Sequence, residues 1–65
     1  MQTIATTLAQ AQAHGLARID AQMLLLHVLG RAANDRAWLL VHDGDAMEAD
    51  VLARFNALAT RRAAG

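Results

Sequence analysis

The chain has 65 residues, a formal net charge of +0, and neither cysteine nor proline. That length supports at most one small domain, the charge balance leaves no electrostatic footprint for DNA or an anionic membrane, and disulfides and thiolate metal sites are excluded. Ser, Lys and Tyr are missing as well, so the usual nucleophiles and Schiff-base formers are absent and the chain is not expected to be catalytic by itself.

Alanine and leucine dominate, which favours helix. Thr3 is placed to cap a first helix over about residues 4–14, with Ile4, Leu8 and Ala11 on one face at helical spacing. Gly15 fits a left-handed stop, and Leu16 can fold back on the last turn as in a Schellman cap. The outer face of this helix is expected to be Gln and Thr. A second helix covers about 17–29 and ends at Gly30, with Asp20 near its positive end. Ile19, Met23, Leu26 and Gly30 form one stripe, and Leu25, Val28 and Leu29 fill adjacent ones. This near-continuous apolar surface predicts a helix buried on several sides, the central one of a bundle.

Asn34 or Asp35 can cap a short third helix over about 35–42. The segment HDGD, residues 42–45, is a turn signal. Asp45 and Glu48 have the spacing of a capping box for a last helix running to about Ala63. On that helix Val51, Leu52, Phe55, Leu58 and Ala59 make an apolar face, and Asp50 and Arg54 an outward i,i+4 pair. The expected fold is all-α: a bundle of four to five short helices around helix two. The longest apolar run is far short of the ~20 residues that cross a bilayer, and the amino terminus lacks the pattern of a signal peptide.

Few residues invite chemistry. His14, His27 and His42 lie 13 and 15 residues apart, each near the end of a different helix, unlike the i,i+4 pairs of helical metal sites; no metal site is expected. His27 interrupts the most apolar stretch, QMLLLHVLG. A donor for the last carbonyls of helix two is the natural reading. If its partner is buried, His27→Leu should cost about 1–2 kcal/mol. Asp43, Asp45, Glu48 and Asp50 do not match a calcium-loop ladder, and turn, cap and ion-pair duty explains them. The body of helix three, RAWLLVH, is too apolar for a DNA recognition helix, which reads bases with Arg, Asn or Gln. Trp38 is expected in the core against Phe55, with a partner-facing position as the alternative.

Three segments together carry a family resemblance: RIDAQMLLLHVLGR (18–31), RAWLLVH (36–42) and LARFNALATRRAAG (52–65). In this order they resemble the N-terminal region of the release-factor glutamine methyltransferases, the PrmC/HemK family. The matching positions are Arg18, Asp20, Ala21, Leu24, Leu25, His27, Leu29, Gly30, Arg36, Leu39, Arg61, Arg62 and Gly65, spread over essentially the whole chain. Departures fall at helix starts. Leu16 and Ala17 stand where the family often has Ser-Pro, Glu48 and Ala49 where it often has Thr-Pro, and Gln22 replaces an acid.

The resemblance implies a parent enzyme that transfers a methyl group from S-adenosylmethionine to the glutamine of the Gly-Gly-Gln motif in peptide-chain release factors, in the cytoplasm. The family's Rossmann-like catalytic domain follows this region, with a glycine-rich cofactor loop and an Asn-Pro-Pro-Tyr motif. None of that is present here, so no catalytic, cofactor or metal residue carries over, and the TRRAAG ending reads as a cut within a longer protein. Residues 1–65 are then a single helical domain that helps bind and orient the release factor beside its own C-terminal catalytic domain. Arg36, Arg54 and Arg61 are the candidate contacts. The competing reading is a structural or protein-interaction helical module with no enzymatic role.

Overall fold

The computed structural model describes residues 2–64. Gly65, which closes the family pattern, lies outside them. The described residues form four helices: α1 (Ile4–Ala13), α2 (Arg18–Val28), α3 (Arg36–Val41) and α4 (Ala49–Ala63).

The start of α1 is satisfied donor by donor. Thr6 N–H donates to Thr3 Oγ1 at 3.2 Å, while the Thr6 hydroxyl accepts from Thr3 N–H at 2.8 Å. This is a capping box with Thr in the place usually held by Glu or Gln. The two preceding donors find partners about forty residues along the chain. Ile4 N–H donates to the carbonyl of Asp45 (3.1 Å) and Ala5 N–H to that of Asp43 (2.9 Å). The HDGD segment is the expected turn, closed by Asp45 N–H on the His42 carbonyl at 3.0 Å, and its backbone also caps α1. Met47 N–H donates to the Gln2 carbonyl at 2.9 Å, completing a short antiparallel contact between Thr3 and Ala46.

Helices α1 and α2 end in the same way. Gly15 (φ 104°) and Gly30 (φ 77°) occupy the left-handed region. After α1, Gly15 N–H reaches the Gln12 carbonyl and Leu16 N–H the Ala11 carbonyl; after α2, Gly30 N–H reaches His27 and Arg31 N–H reaches Leu26. Both sets are the paired bonds of a Schellman motif. Leu16 is buried, so the first motif also carries its usual apolar contact.

As expected, α2 is central: it packs against α1, α3 and α4. Ala21, Leu25 and Leu26 on α2 are fully enclosed, with Ile4, Leu39 and Phe55 from the other three helices around them. The small side chain at Ala21 lets neighbouring helices approach closely, whereas Leu25 and Leu26 supply buried area.

Several expected contacts are replaced by others. Asp35 holds the N-cap position of α3 but makes no capping bond; its carboxylate takes Arg31 Nε at 2.8 Å instead. Asp45 and Glu48 form no capping box. Helix α4 starts after Glu48, which holds the N-cap position without a side-chain cap, and Asp45, three residues earlier, is engaged by His42 Nδ1 at 2.8 Å. Asp50 and Arg54 are not within ion-pair distance, and the described ion pairs are Arg31–Asp35, His42–Asp45 and Arg62–Asp20. Trp38 is half-buried and packs against the core cluster that includes Phe55, at its edge rather than within it. Its ring lies 4.3 Å from that of His42, and the Arg31 guanidinium sits 4.3 Å from its centroid. Thr7 does not lie on the outer face of α1 with the other polar residues but is buried, only 1% exposed. Finally, Ile19 and Met23 remain 46% and 43% exposed, so α2 is buried along Leu25, Leu26 and Val28 and open along the Ile19 stripe.

Candidate interaction surface

The three histidines do not converge. His14 is exposed at the end of α1, beside the groove between α1 and α4. His27 is exposed on the last turn of α2, and its ring makes no hydrogen bond among the described residues. Neither the expected bond to the last carbonyls of α2 nor a buried partner is found for the ring among the described residues. His42 is tied up between Trp38 and Asp45. Among the described residues, no three His, Cys, Asp or Glu side chains are grouped to hold a metal ion.

Arg31, Trp38 and His42 form a continuous stack, anchored at one end by Asp35 and at the other by Asp45. Each charged member already has its partner within the stack. The arrangement clips the α2–α3 loop to the end of α3 and leaves little unsatisfied for a ligand.

The remaining arginines have no ion-pair partner among the described residues. Arg18, Arg36, Arg54 and Arg61 are exposed and take part in none of the described ion pairs. The structure does not gather the candidate contacts Arg36, Arg54 and Arg61 into one patch. Arg36 lines a depression between α2 and α3, whereas Arg61 lines another with Leu24, Leu58 and Arg62. Arg54 lines neither.

The α2–α3 face combines charge with apolar area. One depression of about 440 Å³ is bounded by Arg18, Ile19, Gln22, Arg36, Ala37 and Leu40. A second, of about 330 Å³, shares Ile19 and Arg36 and continues over Met23, Ala33 and Asn34. Leu40 is 65% exposed, more open than Ile19 or Met23. Single exposed aliphatics are ordinary on protein surfaces; here Ile19, Met23 and Leu40 are grouped on one face. Helical spacing puts Ile19 and Met23 on a stripe expected in the core, yet both are exposed, and Arg18 lies beside them at the surface. The 3.6-residue period shows which residues share a face; only the placement of α3 shows that this face stays uncovered.

The described residues form a small four-helix domain with exposed apolar and cationic surface. The chain matches the PrmC N-terminal domain family over residues 1–65 and belongs to it. It is 53% identical over 51 residues to the release factor glutamine methyltransferase of Bordetella pertussis (strain Tohama I), a match covering 78% of this chain and 18% of that protein. The chain thus spans less than a fifth of the length of this curated relative. No solved structure matches it.

Proposed function

We propose that this domain serves a cytoplasmic release-factor glutamine methyltransferase by holding and orienting its protein substrate. The observation that carries this reading is the match to the PrmC N-terminal domain family along the whole chain. The uncovered α2–α3 face supports it, because that surface exceeds what the fold requires. Methyl transfer from S-adenosylmethionine to the Gly-Gly-Gln glutamine belongs, in this reading, to a catalytic domain outside these residues. The described residues form no strand followed by a glycine-rich turn, so they do not fit the cofactor, and its binding is assigned to that other domain.

The domain acts by adding a second contact. Once it grips the release factor, capture of the glutamine loop becomes an intramolecular event at raised effective concentration. Arg36, Arg54 and Arg61 are candidate contacts in this scheme. All three are exposed, and none forms a described ion pair that a partner would have to break.

The test compares the whole methyltransferase with a version lacking residues 1–65. With intact release factor, deletion should raise KM about tenfold or more while kcat changes little, the mark of lost binding that is equal in ground and transition states. With a short Gly-Gly-Gln peptide, which offers no second contact, both versions should behave alike. Equal KM values for the intact factor would refute the proposal.

A further inference from the structure

We infer that the α2–α3 face, floored by Ile19, Met23, Ala37 and Leu40 and flanked by Arg18 and Arg36, docks an acidic amphipathic segment of the release factor. This rests on the substrate-holding role proposed above and assigns it to one surface. The floor is aliphatic and open: Ile19, Met23 and Leu40 are 46%, 43% and 65% exposed. The flanks carry two guanidinium groups, and no carboxylate lines either of the adjoining depressions.

The chain's own acids do not neutralise these flanks. Asp20 reaches toward Arg62 at 3.5 Å, Asp35 holds Arg31 and Asp45 holds His42. Asp43, Glu48 and Asp50 belong to the turn and the start of α4. The complementary occupant therefore presents aliphatic side chains beside carboxylates, as an amphipathic helix does when its apolar face enters a groove. Carboxylates aligned with Arg18 and Arg36 would both steer the encounter and fix its register. A second copy of this chain fits poorly. Symmetric pairing places the same face on both partners and opposes cation to cation.

The experiment is an NMR titration of the isotope-labelled 65-residue chain with release factor. Shift changes should concentrate at residues 18–23 and 36–40. The double variant Arg18→Glu/Arg36→Glu, checked for unchanged helicity by circular dichroism, should bind at least about tenfold more weakly, as expected for paired interfacial charges. A single added carboxylate on α1, Gln12→Glu, at a residue that lines neither depression, should leave Kd within about twofold. Four results overturn the inference. Absence of any binding removes the substrate-holding role and the inference with it. Binding with shifts around Arg54 and Arg61, and with the double variant unaffected, keeps the role but moves the surface. Shifts at the α2–α3 face that depend on the chain's own concentration assign it to self-association. Shifts there on adding the separate catalytic domain, with release factor displaced, assign it to the interior of the enzyme.

Discussion

Thr7 offers a sharp test of how hydrogen bonds are counted in this domain. It is the one buried polar side chain among the described residues, 1% exposed, and its hydroxyl donates to the Thr3 carbonyl at 2.7 Å. That carbonyl also accepts from Thr7 N–H at 2.9 Å and from the Thr6 hydroxyl at 3.0 Å. On the other side, Gln2 Nε2 approaches Thr7 Oγ1 at a long 3.4 Å while making a better bond to Gln10 Oε1 at 2.9 Å. Thr7→Val therefore orphans no group. It forfeits one hydrogen bond, worth about 1 kcal/mol net, and replaces the hydroxyl by a buried methyl worth about 0.8 kcal/mol. The balance falls within about 0.5 kcal/mol of zero. Thr7→Ser does the opposite: it keeps the bond and loses a methyl from an enclosed site, at a cost of about 1 kcal/mol including the small void. Urea denaturation followed by circular dichroism measures both variants. The reasoning requires Ser to be the more destabilising change. A Val variant weaker by more than about 1.5 kcal/mol, with Ser near wild type, would refute it by showing that the hydroxyl has no substitute.

Three further outcomes are expected. Helix α2 begins after Ala17, whose extended backbone (φ −64°, ψ 150°) suits an N-cap although no side-chain cap exists; Ala17→Ser should stabilise the domain by about 1 kcal/mol, raising Tm by roughly 4–8 °C in a thermal melt. At Gly30 an added Cβ meets nothing within 4 Å, but φ is +77°, so Gly30→Ala should cost about 1–2 kcal/mol from left-handed strain alone, and Gly30→Asn less; chemical denaturation of the two variants reads the difference. His27 is exposed and its ring has no described partner, so in the same assay His27→Leu should change stability by less than about 0.5 kcal/mol.

The sequence was most informative where a local signal decides a local structure. Thr3, Gly15 with Leu16, and Gly30 mark helix ends through backbone geometry that needs no distant residue, and all three act as read. Polar side chains with a choice of partners were harder to place. Asp35 could cap α3 or pair with Arg31 four residues earlier, and it pairs. Asp45 could begin α4 or hold His42, and it holds His42. Either use of the carboxylate is a charge-assisted bond, so the choice depends on how the loop folds. The interaction surface was legible only in part. Arg36 was singled out, yet its relation to Ile19 and Leu40 exists only once α3 lies beside α2.

The backbone bonds from α1 to the turn at residues 43–45 have a bearing on the order of folding. Ribosomal synthesis delivers α1 first, but Ile4 and Ala5 cannot satisfy their amides until Asp43 and Asp45 have emerged. The first of these four helices is therefore completed only after α3 and the turn behind it have been made, and its first turn frays until then. The same bonds make α1 a latch in the finished molecule. Peeling it away also exposes the linker ahead of α4, so hydrogen exchange at Ile4 and Ala5 should report opening of the whole domain rather than loosening of one end.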